Sequence, residues 1–172
     1  MKKTKTNLLT LFLLGFFLVP FILFSNNPGN NLTTPKNKIS NSPVLTCSST
    51  DPSSSGITPT QQPWTPPGAQ TCDPTYSFYR IEPVVAGIFT LPSGESYTIS
   101  LSTNSCGEIF SISSAEVVFN NIIVKGGPSQ ENVYNYGTDV SGDGDLHAAL
   151  NTSSGKYYGL SHIDLCYKSV CA

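Results

Sequence analysis

The sequence predicts an all-β protein, an antiparallel β-sandwich or a partly open barrel built from about seven to eight short strands. Two observations support this fold class. From Cys72 onward, short segments with alternating apolar residues are separated by Gly, Pro, Asn and Ser. No window there keeps apolar residues at helical spacing for three turns, and β-branched and aromatic residues dominate the segments.

The individual strands follow from this alternation. SYTISL begins at Ser96 and places Tyr97, Ile99 and Leu101 on one face. GIFTL precedes it, and the PSGE between the two segments supplies the turn of a hairpin. EIFSIS, EVVF, NIIVKG, NVYNY and HIDLCY continue the series. The one helix candidate is LHAALN, residues 146–151, which is long enough for about one turn.

Residues 1–25 have the pattern of a signal peptide. Lys2, Lys3 and Lys5 precede an uncharged apolar run from Leu8 to Phe24. The run also allows a retained N-terminal anchor, in which case the protein would meet a membrane through this segment alone. In both cases the chain beyond it faces outward, because the lysines stay on the cytoplasmic side. We therefore expect a secreted or cell-surface protein.

Residues 26–71 are predicted to form an extended linker, and residues 72–172 the β-domain. The linker is rich in Asn, Ser, Thr and Pro and holds few apolar residues that would offset the entropy of ordering it. Trp64 is the exception. Its indole is expected to hold the linker against the domain, and a ligand-facing ring is the alternative.

Charge excludes one class of partner. Three of the nine basic residues lie in the N-terminal segment, which leaves six basic against eleven acidic residues in the rest of the chain, a net charge of −5. Such a surface repels phosphate backbones, so nucleic-acid binding is not expected.

All five cysteines follow the signal segment, where an oxidising compartment would let disulfides persist. The spacing predicts at least one bridge but cannot assign its partners. Structural zinc is the competing interpretation. The chain has no CxxC pair, however, and its only histidine ligands would be His147 and His162. Alternation in GLSHIDLCY puts His162 on the same face as Asp164 and Cys166, where a carbonyl or Asp164 would satisfy the ring.

The stretch DVSGDGDLH, residues 139–147, allows a weak calcium hypothesis. Oxygen ligands fall at alternate positions, Asp139, Ser141, Asp143 and Asp145, as at the start of an EF-hand loop. The twelfth position is Leu150 where a bidentate Glu is required, so an EF-hand is not expected. A looser calcium loop and a solvated turn both remain. No other cofactor is predicted.

Two segments carry a family resemblance. NNIIVKGGPSQENVYNY (120–136) and GDLHAALNTSSGKYYGLSHIDLCYK (144–168) resemble a domain of secreted and surface-exposed bacterial proteins, with VKGGP, N-x-Y, a GLH-type turn, GK and GLSHI-x-x-CY in this order. The resemblance covers about fifty residues and implies a non-catalytic extracellular role. It also implies a bridge between Cys106 and Cys166. Cys47 and Cys72 would then staple the linker, with Cys171 unpaired or joined to another chain.

The leading functional hypothesis is a secreted or surface-tethered, non-enzymatic β-domain that interacts with a cell-surface or matrix protein or a glycan. A calcium-dependent carbohydrate-binding module and a small secreted hydrolase are the alternatives. Tyr134, Tyr136, Tyr157 and Tyr158 cluster near glycine-rich loops and are the candidate ligand contacts, since aromatic faces stack on sugars. No GxSxG or HExxH supports the hydrolase, so catalytic residues are not predicted.

Overall fold

A computed structural model describes residues 46–64 and 72–170 of the chain. The predicted signal peptide or anchor, residues 26–45 and 65–71 of the predicted linker, and Cys171 lie outside the described residues. In the described ranges, no helix has the length and hydrophobicity needed to cross a bilayer.

The described residues form two facing antiparallel sheets and one two-stranded ribbon. A five-stranded sheet has the order β1-β7-β6-β11-β2, a four-stranded sheet the order β3-β4-β5-β8, and β9 pairs with β10. The strands are β1 (Thr60–Pro63), β2 (Ser77–Ile81), β3 (Gly87–Thr90), β4 (Ser96–Asn104), β5 (Gly107–Ser113), β6 (Val117–Gly126), β7 (Gln130–Val140), β8 (Gly142–Leu146), β9 (Leu150–Asn151), β10 (Lys156–Tyr157) and β11 (Leu160–Ser169). The predicted antiparallel β-sandwich is confirmed, and its sheets are not closed into a barrel.

The core lies between the two sheets and follows the predicted alternation. The long strands alternate between core and outer face, which is why Ile122 and Val124 are buried in the core while the residue between them faces the other side of the sheet. Fully burying such a side chain stabilises the fold by about 1.5–3 kcal/mol. The facing sheet supplies Tyr97, Ile99, Phe110, Ile112 and Leu146.

More strands form than the sequence predicted, and the predicted helix does not form. LHAALN spans the end of β8, an irregular stretch and β9. Ala148 and Ala149 in its middle are fully buried. A Cβ built on Gly126 would lie 2.6 Å from the Ala148 Cβ, so the two backbones approach closely here. Packing against β6 therefore overrides the local helix propensity.

The N-terminal boundary of the domain differs from the prediction. Residues 46–64, assigned to the linker, are part of the sandwich, because β1 pairs with β7 from Thr60 opposite Val133 to Pro63 opposite Gln130. Strand β1 is polar and lies at the edge of the sheet, where a proline costs no ladder hydrogen bond. A polar edge strand has no apolar alternation, which is why the alternation of apolar residues did not predict β1.

The four cysteines predicted to form bridges are bridged, but in a different pairing. The structure joins Cys47 to Cys106 and Cys72 to Cys166. The implied bridge between Cys106 and Cys166 is wrong. Cys106 lies in the β4–β5 turn of one sheet, whereas Cys166 lies on the outer face of the other, and a disulfide requires Cα atoms about 4.4–6.8 Å apart. Two bridges indicate a non-reducing, extracellular type of environment.

Candidate ligand-binding pocket

A row of polar residues crosses the outer face of the five-stranded sheet. His162 on β11 lies opposite Lys125 on β6, and Lys125 lies opposite Glu131 on β7. Although they face away from the core, His162 is 5% exposed, Lys125 4% and Glu131 0%. Charged side chains are rarely buried to this extent unless they are paired. This row is therefore the first candidate for a functional site.

Neighbouring residues hold two of the buried charges. Arg80 on β2 donates two hydrogen bonds to Asp164, from Nε to Oδ1 at 2.6 Å and from Nη2 to Oδ2 at 2.7 Å. These bonds raise the pKa of the guanidinium above its ordinary value. On the other side of the row, Gln62 Nε2 donates to Glu131 Oε1 at 2.7 Å. The network thus ties the two edge strands, β1 and β2, to the centre of the sheet.

Lys125 connects this row to Trp64. Its ammonium donates to the Gly127 carbonyl and lies 5.1 Å from the centre of the Trp64 ring, within the range of a cation–π contact. Burial lowers the pKa of Lys125, although the negative charge of Glu131 acts in the opposite direction. Trp64 is held in this position because its backbone N–H donates to the Ser129 carbonyl at 2.9 Å, directly after β1.

Beside these groups lies a cavity of about 390 Å³. Its lining includes Trp64, Arg80, Glu82, Lys125, Ser161 and His162. The indole nitrogen of Trp64 and Nε2 of His162 are buried and have no hydrogen-bond partner among the described residues. Leaving such a group unpaired costs about 1–3 kcal/mol. A ligand that hydrogen-bonds to these atoms would recover that cost.

The environment of His162 differs from the sequence-based expectation. Neither a carbonyl nor Asp164 satisfies Nε2, and Asp164 is engaged by Arg80 instead. Burial lowers the pKa of His162 below its ordinary value, and the positive charge of Arg80 lowers it further. The neutral imidazole is therefore the form that this pocket favours near neutral pH.

A second cavity of about 390 Å³ lies beside the bridge between Cys47 and Cys106. In its lining, His147 stacks on Tyr157 with the ring centres 3.9 Å apart. Nε2 of His147 lies 3.0 Å from the Asp51 carbonyl, and the Tyr157 hydroxyl donates to the Asp51 carboxylate. These contacts bind the N-terminal segment to the sandwich, so we assign them a structural role.

The four predicted calcium ligands have separate surroundings. Asp139 lies 2.5 Å from Lys168 and accepts a hydrogen bond from the Tyr76 hydroxyl, whereas Ser141 is exposed between β7 and β8. Asp145 accepts from the Ser54 hydroxyl at 2.6 Å. In residues 46–64 and 72–170 no group of three or more His, Cys, Asp or Glu side chains is arranged to hold a metal ion. Calcium binding stays a prediction.

Asp143 is the most heavily bonded of the four. Its Oδ1 accepts from the backbone N–H and the hydroxyl of Ser55 and from the Gly144 N–H, and its Oδ2 accepts from the Tyr136 hydroxyl at 2.9 Å. Asp143 is itself buried. It therefore holds the N-terminal segment, through Ser55, against strand β8.

Three of the four predicted contact tyrosines are part of the interior. Tyr134, Tyr136 and Tyr157 are buried, and burial raises the pKa of all three phenols. Tyr134 and Tyr136 pack in the core, whereas Tyr157 lines the second cavity, and ligand contact by these residues stays a prediction. Tyr158 is half-buried, and its ring lies where a side chain on Gly127 would be, 2.6 Å from a Cβ built there. Buried and exposed tyrosines have the same sequence signature.

No protein-family model, curated protein or solved structure matches the chain. The resemblance to a surface-exposed bacterial domain therefore stays a prediction.

The role of Asp143 generates a prediction. Asp143→Asn should lower the free energy of unfolding by about 1–3 kcal/mol, because a charged acceptor of several buried hydrogen bonds is lost. The matched control, Asp145→Asn, should lose less than about 1 kcal/mol, since its partner is exposed. Urea denaturation checks both variants. Equal losses in calcium and in chelator are expected, and a loss confined to calcium would instead make Asp143 a metal ligand.

The buried His162 generates a second prediction. Because its pKa is lowered in the folded state, the unfolded chain binds the proton more readily below about pH 6.5. Stability should therefore be full at pH 7 and fall as the pH is lowered towards 5. His162→Gln should flatten this dependence in urea denaturation series. An identical pH profile for the variant would show that the imidazole is not buried in its neutral form.

Proposed function

We propose that this protein is a secreted or surface-attached domain with a non-enzymatic binding role, and that its ligand is a glycan held in the pocket beside Trp64. One observation carries the proposal. The single tryptophan of the chain lines a concave site together with the buried Lys125 and the unpaired Nε2 of His162. Indole rings beside convergent polar groups are a common way to bind sugars.

The extracellular part of the proposal rests on two observations. Two disulfides persist in oxidising compartments and are rare in the cytosol. The N-terminal residues 1–25 have the basic and apolar regions of a signal peptide. Together they support a domain that meets its partner outside the cell, where glycans are abundant ligands.

The way in which the polar groups of the pocket are engaged supports binding rather than turnover. Arg80 is held by both oxygens of Asp164, and Lys125 donates to a backbone carbonyl. Fixed groups of this kind orient a ligand, whereas a general base or nucleophile needs a partner within reach that activates it. Donors and acceptors both occur in the lining, as Ser161 and Glu82 add a hydroxyl and a carboxylate. A sugar, with many hydroxyls, satisfies both types of group.

The fluorescence of Trp64 can be used to detect ligand binding in the pocket. Because the chain has one tryptophan, intrinsic fluorescence reports the environment of Trp64 alone. Titration of the oxidised protein with a panel of soluble glycans should shift or quench this emission in a saturable way for at least one of them. His162→Gln should weaken that response, while Ile88→Ser, at an exposed position on β3, should leave it unchanged. A flat response to every glycan would contradict the proposal.

A further inference from the structure

We propose that the Trp64 pocket selects a carboxylated sugar, a hexuronic acid unit of an anionic glycan, with the carboxylate bound between Lys125 and Arg80. This inference rests on the proposed function, because it assigns the class of sugar to the same pocket. It is carried by the distribution of positive charge, by the donors that remain available in the lining and by the size of the cavity.

Half of the basic side chains in the described ranges lie at the pocket. Beyond the N-terminal segment the chain carries six basic against eleven acidic residues. Four basic side chains fall in the described ranges, and two of them, Arg80 and Lys125, line this one cavity. Lys168 is paired with Asp139, and Lys156 is exposed on β10. Arg80 is paired with Asp164 and Glu82 also lines the cavity, so the attraction of an anionic ligand to this site rests chiefly on the ammonium of Lys125.

Donors for a carboxylate remain in the pocket. Arg80 uses Nε and Nη2 for Asp164, so the protons of Nη1 are left. Lys125 has three protons, of which the Gly127 carbonyl takes one. The buried indole N–H of Trp64 has no partner among the described residues. Charged donors bind a carboxylate more strongly than they bind a hydroxyl, and this difference gives selectivity.

The remaining lining suits the sugar ring. Trp64 provides an aromatic surface, and Ser161 and Glu82 provide a hydroxyl and a carboxylate for ring hydroxyls. A simple anion would leave these groups without partners. A volume of about 390 Å³ accommodates a ligand of one to two sugar units and lies within the range of small-molecule sites. Glu82 is exposed, and its negative charge repels a carboxylate, so it lowers the affinity of the pocket for a uronate.

Calorimetric titration of the full oxidised chain at low ionic strength tests the inference with matched ligand pairs. D-glucuronate is compared with D-glucose, D-galacturonate with D-galactose, and acetate serves as the carboxylate alone. At least one uronate should bind at least about ten-fold more tightly than its neutral parent and than acetate. One charge-assisted hydrogen bond is enough to give a difference in affinity of this size. The preference should shrink at high salt, because the contact is partly electrostatic.

Three variants assign the effect to the pocket. Lys125→Met should weaken uronate binding about ten-fold and leave the neutral sugar within about three-fold. Lys156→Met removes the same charge from an exposed position and should change neither. Glu82→Gln, also exposed, should tighten uronate binding about two- to three-fold by removing a repulsive charge. This gain of affinity keeps the test decisive if Lys125→Met fails to fold.

The outcomes separate the two proposals. If neither uronate binds more tightly than its neutral parent but a neutral sugar binds, the pocket is a glycan site and the carboxylate inference is overturned. Acetate as strong as the uronates would make it a simple anion site and would also overturn the inference. Absence of binding by every sugar in the series, together with a flat fluorescence response, would overturn both proposals.

Discussion

The attachment of residues 46–64 to the sandwich is the constraint on which the candidate site depends. The bridge from Cys47 to Cys106 fixes the beginning of this segment, Asp143 holds Ser55 in its middle, and β1 pairs with β7 at its end. A disulfide that closes a loop of this length stabilises a fold by about 4 kcal/mol in the chain-entropy view. Trp64 follows β1 directly, so this attachment brings its ring to Lys125.

The polar network on the outer face of the sheet is not explained by stability alone. Moving a charge such as that of Asp164 out of water costs several kcal/mol. A charged partner offsets this desolvation cost only when the geometry of their hydrogen bonds is good. Arg80 supplies that geometry with two hydrogen bonds, and the nearby bridge from Cys72 to Cys166 joins the segment before β2 to β11. An apolar layer would cover the sheet at lower cost, and this cost is one ground for the proposed binding role of the row.

The sequence determines some of these features and leaves others open for physical reasons. Alternation identifies the face of a strand, so the sandwich and the core position of Ile122 and Val124 were predictable. Alternation does not identify what covers the other face of a strand, so the burial of Lys125 and Glu131 was not predictable. The acids of DVSGDGDLH have suggestive spacing, but spacing carries no information on partners such as Ser55, about ninety residues earlier. Trp64 was recognised as a link between the predicted linker and the domain, although strand β1 was not.

The measurement that tests this account most directly is the disulfide map of the oxidised protein, obtained by non-reducing digestion and mass spectrometry. A protease that cleaves before aspartate is suitable, because Asp51 separates Cys47 from Cys72. The account predicts linked peptides that join Cys47 to Cys106 and Cys72 to Cys166. Peptides that join Cys47 to Cys72, or Cys106 to Cys166, would contradict it, because the N-terminal segment would then not be fastened where the pocket requires it.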